Sequence, residues 1–324
     1  MTQKALRLGT RRSMLAMAQS GQVADAVRQL TGRPVELVEI TTYGDTSREQ
    51  LAQIGGTGVF VTALRDALLR GDVDFAVHSL KDLPTTQPDD LVLAAVPVRE
   101  DPRDVLVARD GLTLTELAAA CEGRPARIGT GSPRRMAQLN AYARSHGLAV
   151  ETVPIRGNID TRIGFAHSGE LDAVVLAAAG LNRIGRIGEV TDFLPVDTML
   201  PAPGQGALAI ECTAADADLA AALAELDDPY TRVAVTAERS LLAALEAGCS
   251  APVGAYADLL ADGQIVHEMR LRGVVGTTDG STLVQLSITG PVPASHDEAV
   301  ALGRELAVEM LAKGAAGLMG ERAL

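Results

Sequence analysis

Two short patterns recur in this chain, in the same order. Arg7-Leu8-Gly9-Thr10 returns as Arg127-Ile128-Gly129-Thr130, and Gly71-Asp72-Val73-Asp74-Phe75-Ala76-Val77 returns as Gly169-Glu170-Leu171-Asp172-Ala173-Val174-Val175. The first pattern reads as a strand that breaks at glycine and leads into a helix. The second reads as a short, buried, partly β-branched strand entered through glycine. The repeat constrains the fold more than any single motif does, because it calls for two similar α/β units. Two such units facing each other offer a cleft, a usual place for a ligand. The matched patterns lie closer together in the second half, so the copies are divergent.

The segments around the repeat fit this reading. Ser13 is placed to cap a helix from Met14 to about Leu30, and Pro34 to Thr41 alternates as a strand. Thr42 to Gly58 is polar and glycine-rich but lacks a following Gly-Lys-Ser/Thr, so it reads as a loop and not as a phosphate cradle. Phe60 to Leu69 has the pattern of an amphipathic helix, Val73 to Val77 of a strand, and Leu91 to Val98 of another. The charged run Arg99-Glu100-Asp101-Pro102-Arg103-Asp104 marks a domain crossing. Pro201-Ala202-Pro203-Gly204-Gln205-Gly206 is the strongest hinge-like punctuation, and a strand from Ala207 to Ile210 follows it. From Asp228 the pattern changes. A helix from about Tyr230 to Ala247 ends at Gly248. Alternating strands over Val253 to Leu260, Glu268 to Val275 and Thr282 to Ile288, with a closing helix from about Glu298 to Lys313, predict a small α+β domain.

Composition narrows the function. The 324 residues carry a net charge of -12, with 4 Tyr, 4 Phe and no Trp. A basic surface and stacking rings, the means of holding nucleic acid, are both missing. Met1 to Ala5 has no apolar signal-peptide core and no run reaches bilayer length, so a cytoplasmic protein without membrane contact is expected. Cys121, Cys212 and Cys249 show no CxxC spacing, and the 5 histidines no HExxH, so neither a disulfide framework nor a metal site is expected.

Candidate chemistry lies at strand ends. Lys81 and Asp82 follow the Val73 to Val77 strand at its C-terminal edge, where open α/β sheets bind ligands, and Pro84 sets how the pair leaves the sheet. Read alone, the pair is a solvated turn. Ser132-Pro133-Arg134-Arg135 puts two cations in the first turn of a helix, against its dipole, an arrangement that makes sense if an anion sits there. Arg156-Gly157-Asn158 with Arg162, and Arg183 after another strand, have the same form. With Arg11 and Lys81 they look built to receive several carboxylates, which arginine binds bidentately. Cys249, in a loop between Gly248 and Ser250, is the better nucleophile candidate. Cys121 and Cys212 read as core or surface residues, and His78, inside an apolar strand, as a structural histidine.

Thr10-Arg11-Arg12-Ser13, Ala76 to Pro84, Arg99 to Asp104, Thr130 to Arg135, Arg156-Gly157-Asn158, Leu200 to Gly206 and Gly248-Cys249 together resemble the porphobilinogen deaminase (hydroxymethylbilane synthase) family over nearly the whole chain. The resemblance implies an α/β fold of two similar periplasmic-binding-protein-like (type 2) domains with a cleft between them, plus a small α+β third domain. Residues 1-99 and 207-224 would form a discontinuous domain 1, 104-199 domain 2, and 228-324 domain 3, which carries the cofactor cysteine. It implies a cytoplasmic, monomeric transferase of haem biosynthesis that condenses four porphobilinogen molecules head to tail, loses ammonia, and releases the linear tetrapyrrole by hydrolysis.

The resemblance further implies a dipyrromethane cofactor joined to Cys249 by a thioether. Asp82 would be catalytic, accepting pyrrole N–H bonds and stabilising the cations that follow loss of ammonia. Lys81, Asp82, Ser13, Thr130, Ser132, Arg134, Arg135 and Arg162 would bind the cofactor; Arg11, Arg156 and Arg183 would receive substrate and growing chain. Each pyrrole brings acetate and propionate groups, which accounts for the arginines. Thr57 and Thr62 stand where the family often has lysine, Gly131 where it often has Ser, and Ser250-Ala251 where it often has Gln-Val. The alternative is a non-catalytic two-lobed binding protein for a carboxylated small molecule.

Overall fold

A computed structural model describes residues 4–40, 58–247, 251–263 and 265–319. The glycine-rich stretch 41–57, with Thr57, and the run Gly248-Cys249-Ser250 lie outside the described residues. The contacts divide the chain into two units. One holds the residues up to Glu100 and Gly206–Arg232, the other Asp101–Gln205 and the residues from Val233 on. The chain therefore passes between units three times: at the charged run, at the Pro/Gly-rich segment and after Arg232.

The first unit is built on a five-stranded sheet of β1 (Leu6–Thr10), β2 (Val35–Glu39), β3 (Phe75–Ser79), β4 (Leu91–Ala95) and, after the chain returns, β10 (Leu208–Thr213). The order is β2-β1-β3-β10-β4, with β1, β2 and β3 parallel and β10 antiparallel to both its neighbours. Helices α1 (Met14–Thr31) and α2 (Gly58–Leu69) pack on it. Leu8, Val27, Phe75, Ile210 and Cys212 form the centre of its core. Strand β3 runs two residues later than the expected Val73 to Val77. Val73 is buried, but the N–H and carboxylate of Asp74 are committed to Arg7, so the ladder with β10 starts at Phe75.

The second unit repeats the plan. Its sheet contains β5 (Asp104–Ala108), β6 (Ala126–Gly129), β7 (Val150–Val153), β8 (Ala173–Ala177) and β9 (Asp192–Leu194) in the order β7-β6-β8-β5-β9. Strands β6, β7 and β8 are parallel, and β5 is antiparallel to β8 and β9. The sequence repeat thus maps β1 onto β6 and β3 onto β8. In each sheet the antiparallel strand, β10 or β5, is the one laid down just after the chain crosses between units. That is the strand order of the type 2 binding-protein plan.

The equivalent strands are joined alike. The Arg7 N–H donates to Asp74 Oδ2 at 2.7 Å and the Arg127 N–H to Asp172 Oδ2 at 2.8 Å, and in both cases the aspartate N–H returns to the arginine carbonyl. Glycine follows because the strand is crowded at that position. A Cβ on Gly129 would stand 2.6 Å from Leu171 and 2.8 Å from Ile155 side-chain carbons.

The same unit carries a three-stranded antiparallel sheet of β11 (Val253–Asp262), β12 (Ile265–Gly276) and β13 (Leu283–Pro291). Helices α8 (Pro229–Ala244) and α9 (His296–Ala312) cover it, with Leu241, Leu271, Val275, Leu306 and Met310 in a core of its own. Helix α8 ends before the expected Ala247. Glu246 adopts a left-handed conformation (φ 53°), and the N–H groups of Glu246 and Ala247 bond back to the Ala243 and Leu242 carbonyls, closing the helix as a Schellman motif.

Candidate functional site

The predicted site residues fall in both units, and each group is built by its own sheet. In the first unit, β1 ends at a buried Thr10 and the chain turns through Arg11 and Arg12 to Ser13, whose hydroxyl accepts the Ala16 N–H and caps α1. Beside it, β3 passes into a single 3-10 turn, Leu80–Asp82. Leu80 is buried and Leu83 is fixed by its N–H bond to the Leu80 carbonyl, so the turn presents Lys81 and Asp82 at the sheet edge.

A cavity of about 90 Å³ opens there. Arg11, Ser13, Gln19, His78, Ser79 and Asp82 supply its polar lining, and Leu15, Val61 and Leu64 part of its apolar wall. Gln19 donates to the Ser79 hydroxyl at 2.8 Å, fixing the back of the cavity. Asp82 is half-buried and, among the described residues, its carboxylate takes part in no hydrogen bond or ion pair. A carboxylate so placed is an acceptor held ready for N–H donors or a developing positive charge.

In the second unit, β6 ends at buried Thr130, whose hydroxyl accepts the Ser132 N–H. Ser132 caps α4 (Pro133–His146), with Pro133 at its first position. Gly131 lies between them, where a Cβ would stand 2.6 Å from the Ile155 carbonyl oxygen unless the backbone shifted. Arg134 and Arg135 are buried, and both bind one carboxylate. Asp104, the first residue of β5, accepts Arg134 Nη1 at 2.6 Å, Arg135 Nε and Nη2 at 3.0 and 2.7 Å, and Gln205 Nε2 at 2.8 Å. Arg134 also reaches the Leu200 carbonyl, and Arg135 the Val175 carbonyl. Burial raises the Asp104 carboxyl, and the two guanidiniums reverse this, holding it far below the usual carboxylate range.

Arg162 belongs to the same end of the sheet. It lies in α5 (Ile159–His167), capped by Asn158, and the preceding turn needs Gly157 at φ 115°. Its Nε is buried with no hydrogen-bond partner, and burial and the nearby Arg135 lower its pKa. Two guanidiniums therefore share one carboxylate with Gln205, and a third, that of Arg162, lies near Arg135. This is the charge complement of a ligand that brings carboxylates of its own. Arg156 is exposed, and Arg183 ends α6 (Ala178–Arg183) at the edge of β8. Cys121 and Cys212 are buried.

Residue-pattern reading did not single out Asp104 as the partner of both arginines, nor Gln19, Arg65 and Glu211. A signal was present for two of them: an aspartate heads the apolar run Val105-Leu106-Val107-Ala108, and a glutamate interrupts Leu208-Ala209-Ile210 before Cys212.

Two family models match the chain: porphobilinogen deaminase, dipyromethane cofactor binding domain, over residues 6–221, and porphobilinogen deaminase, C-terminal domain, over residues 232–312. The chain belongs to the porphobilinogen deaminase family. Porphobilinogen deaminase 1 of Streptomyces avermitilis is 86% identical to it, over 99% of this chain and 99% of its own length. The Streptomyces coelicolor protein of the same name is 81% identical over 100% of both, and the Thermobifida fusca porphobilinogen deaminase 54% identical over 98% of this chain and 96% of its own length. Among solved structures, the second substrate binding domain of a putative amino acid ABC transporter from Streptococcus pneumoniae aligns with 68% of this chain and 91% of its own at 11% identity, with a TM-score of 0.42. The strand order, not that superposition, carries the fold.

As a family member the protein is a transferase of tetrapyrrole synthesis that uses a dipyrromethane cofactor and condenses porphobilinogen into hydroxymethylbilane. The excess of guanidinium over carboxylate in the second unit fits such a cofactor, whose rings carry acetate and propionate. Cys249 falls within the C-terminal match, and the other predicted binding residues within the cofactor-domain match.

Proposed function

We propose a division of labour among the site residues, with Asp82 as the residue that handles the reacting pyrroles. The observation that carries it is the Asp82 carboxylate, set at the edge of β3 on a rigid turn, facing a cavity and bonded to nothing among the described residues. When ammonia leaves porphobilinogen, positive charge develops on a ring whose N–H needs an acceptor. A fixed anion at that point stabilises the charge without having to reorganise. Asp82 also holds or moves a proton at its carboxylate oxygens.

Arg134, Arg135 and Arg162, with Thr130 and Ser132, bind the carboxylates of the cofactor from the second unit, while Ser13 and Lys81 do so from the first. Arg11, Arg156 and Arg183 receive the carboxylates of incoming substrate. Cys249 is the point of covalent attachment, through a thioether. The cofactor supplies the pyrrole on which the chain is extended, and the residues named here orient it. Asp104 is a positioning residue that fixes the Arg134 and Arg135 guanidiniums. The three-stranded sheet with α8 and α9 forms a separate third domain, and the protein acts as a monomer in the cytoplasm; among the described residues, no helix is long and apolar enough to cross a membrane.

Two measurements test this reading. The purified protein has an intact mass above that of its sequence by one dipyrromethane, and Cys249→Ser has the mass of the sequence alone; an adduct that survives in Cys249→Ser places the attachment elsewhere. Asp82→Asn retains the adduct and loses turnover by about 100-fold or more, the scale for removing a preorganised charge from a developing ion. Near-normal turnover in Asp82→Asn removes Asp82 from the reaction. A mere binding protein for a carboxylated ligand would show no adduct and no turnover.

A further inference from the structure

The first unit contains a buried polar cluster that the division of labour above leaves unused. Glu211, on β10, is fully buried. Its carboxylate accepts Arg65 Nε and Nη2 at 3.1 and 2.8 Å and Gln87 Nε2 at 3.1 Å, and it stands 3.3 Å from His78 Nε2. Burial pushes this carboxyl up, and His78 and Arg65 more than offset it, leaving it at about 2. The register explains the meeting. Ala209 of β10 pairs with His78 of β3, so Glu211, two residues on, lies diagonally across the same face.

His78 is not only a core residue. Its side chain is 3% exposed, yet the residue is one of those lining the cavity that Asp82 faces. The Glu211 contact lies off the line of the Nε2–H bond, so it acts as an electrostatic pair more than as an aligned hydrogen bond. Nε2 is the nitrogen nearest the anion, and the tautomer with its hydrogen there is the one Glu211 favours. Nδ1 has no hydrogen-bond partner among the described residues. A buried imidazole held by a carboxylate on one nitrogen and unpartnered on the other, in the wall of a cavity, is arranged to accept a hydrogen bond from a ligand.

We propose that His78 is a further substrate-contacting residue: its Nδ1 lone pair accepts a hydrogen bond from an N–H group of porphobilinogen, beside the acceptor that Asp82 supplies, and Glu211 is the positioning residue that keeps the lone pair turned to the cavity. The inference rests on the reading of Asp82 as the pyrrole N–H acceptor. It gives the cavity two acceptors at one edge and an apolar wall at the other, which suits a flat ring whose donors are a pyrrole N–H and an aminomethyl group.

The test uses the holoenzyme and porphobilinogen. His78→Leu lowers kcat/KM about tenfold, the worth of one hydrogen bond, chiefly through a higher KM and with the adduct mass unchanged. His78→Gln, which restores an acceptor oxygen, recovers most of the loss. Wild-type kcat/KM in His78→Leu overturns the proposal, and so do equal losses in Leu and Gln, which mark a packing role. Nitrogen-15 NMR of the imidazoles in wild-type holoenzyme needs no variant: Nδ1 of His78 is the unprotonated nitrogen, and Glu211→Gln moves the signal toward a tautomer mixture. An Nδ1–H tautomer in the wild type also overturns it. If Asp82→Asn turns over normally, the underlying reading fails; if Asp82→Asn is inactive and His78→Leu is normal, only this inference fails.

Discussion

At the ends of β1 and β6 the chain makes the same turn, a buried threonine followed by a serine that caps the next helix, yet it treats the nearby cations in opposite ways. After Thr10 the arginines precede the cap: Arg12 is exposed and Arg11 lines a cavity. After Thr130 they follow the cap and are buried on Asp104. The difference traces to the head of the antiparallel strand. Asp104 pairs with Ala177 of β8, and its counterpart Leu208 pairs with Ser79 of β3. One copy of the repeat has an internal anion that locks two guanidiniums; the other leaves a carboxylate, Asp82, without a partner among the described residues. On the division of labour proposed above, a duplicated frame serves as a carboxylate receptor in one half and as the reacting edge in the other.

Three measurements test that contrast. The largest effect is expected for Asp104→Asn. It strands two buried guanidiniums and costs about 3–5 kcal/mol in urea unfolding. The carboxyl of Asp104 is depressed, so its contribution is complete above the ordinary carboxylate range and is lost as pH falls through and below it. The asparagine variant lacks that part of the acid sensitivity. A loss under about 1 kcal/mol would mean that the arginines are not locked.

Next come the aspartates that join equivalent strands. Asp172 accepts from Arg109, Arg124 and the Arg127 N–H, and its side chain is 6% exposed; Asp74 accepts from Arg7 alone and is 22% exposed. Asp172→Ala should cost about 2–3 kcal/mol and Asp74→Ala about 1. Equal losses would make the two joints equivalent and the contrast a local one. The smallest difference concerns the strand glycines. Gly129→Ala meets carbons at 2.6 and 2.8 Å and should cost about 1–3 kcal/mol. Gly9→Ala meets only side-chain carbons at 3.1 and 3.2 Å and should cost under about 1 kcal/mol. The reverse order would show that the first unit is the tighter one.

Much of this was legible in residue order. The paired patterns at Arg7 and Arg127, and at Gly71 and Gly169, mark equivalent strands because a buried parallel strand needs a continuous apolar run and its helix needs a capped start. Ser13, Ser132 and Asn158 were readable as caps for the same local reason. The return of β10 to the first unit was reachable through family resemblance alone, and its place between β3 and β4 was not, since nothing in Leu208–Thr213 itself says which strands it joins. The earlier end of α8 was missed because Glu246 takes a left-handed conformation usually given to glycine, and Gly248 drew the boundary instead.

Residue order alone carries the doubled α/β plan, the Pro/Gly punctuation and the strand-end positions of Lys81, Asp82 and the arginines. These follow from periodicity, glycine and capping, which act over a few residues. Which charges neutralise one another inside the protein is set by the fold in three dimensions. Asp104 meets Arg134 and Arg135 across 30 and 31 residues, and Glu211 meets Arg65 across 146. Such pairings are fixed by strand order and register in a low-dielectric interior. There a single carboxylate brought in from a distant part of the chain decides whether a buried guanidinium is held in place.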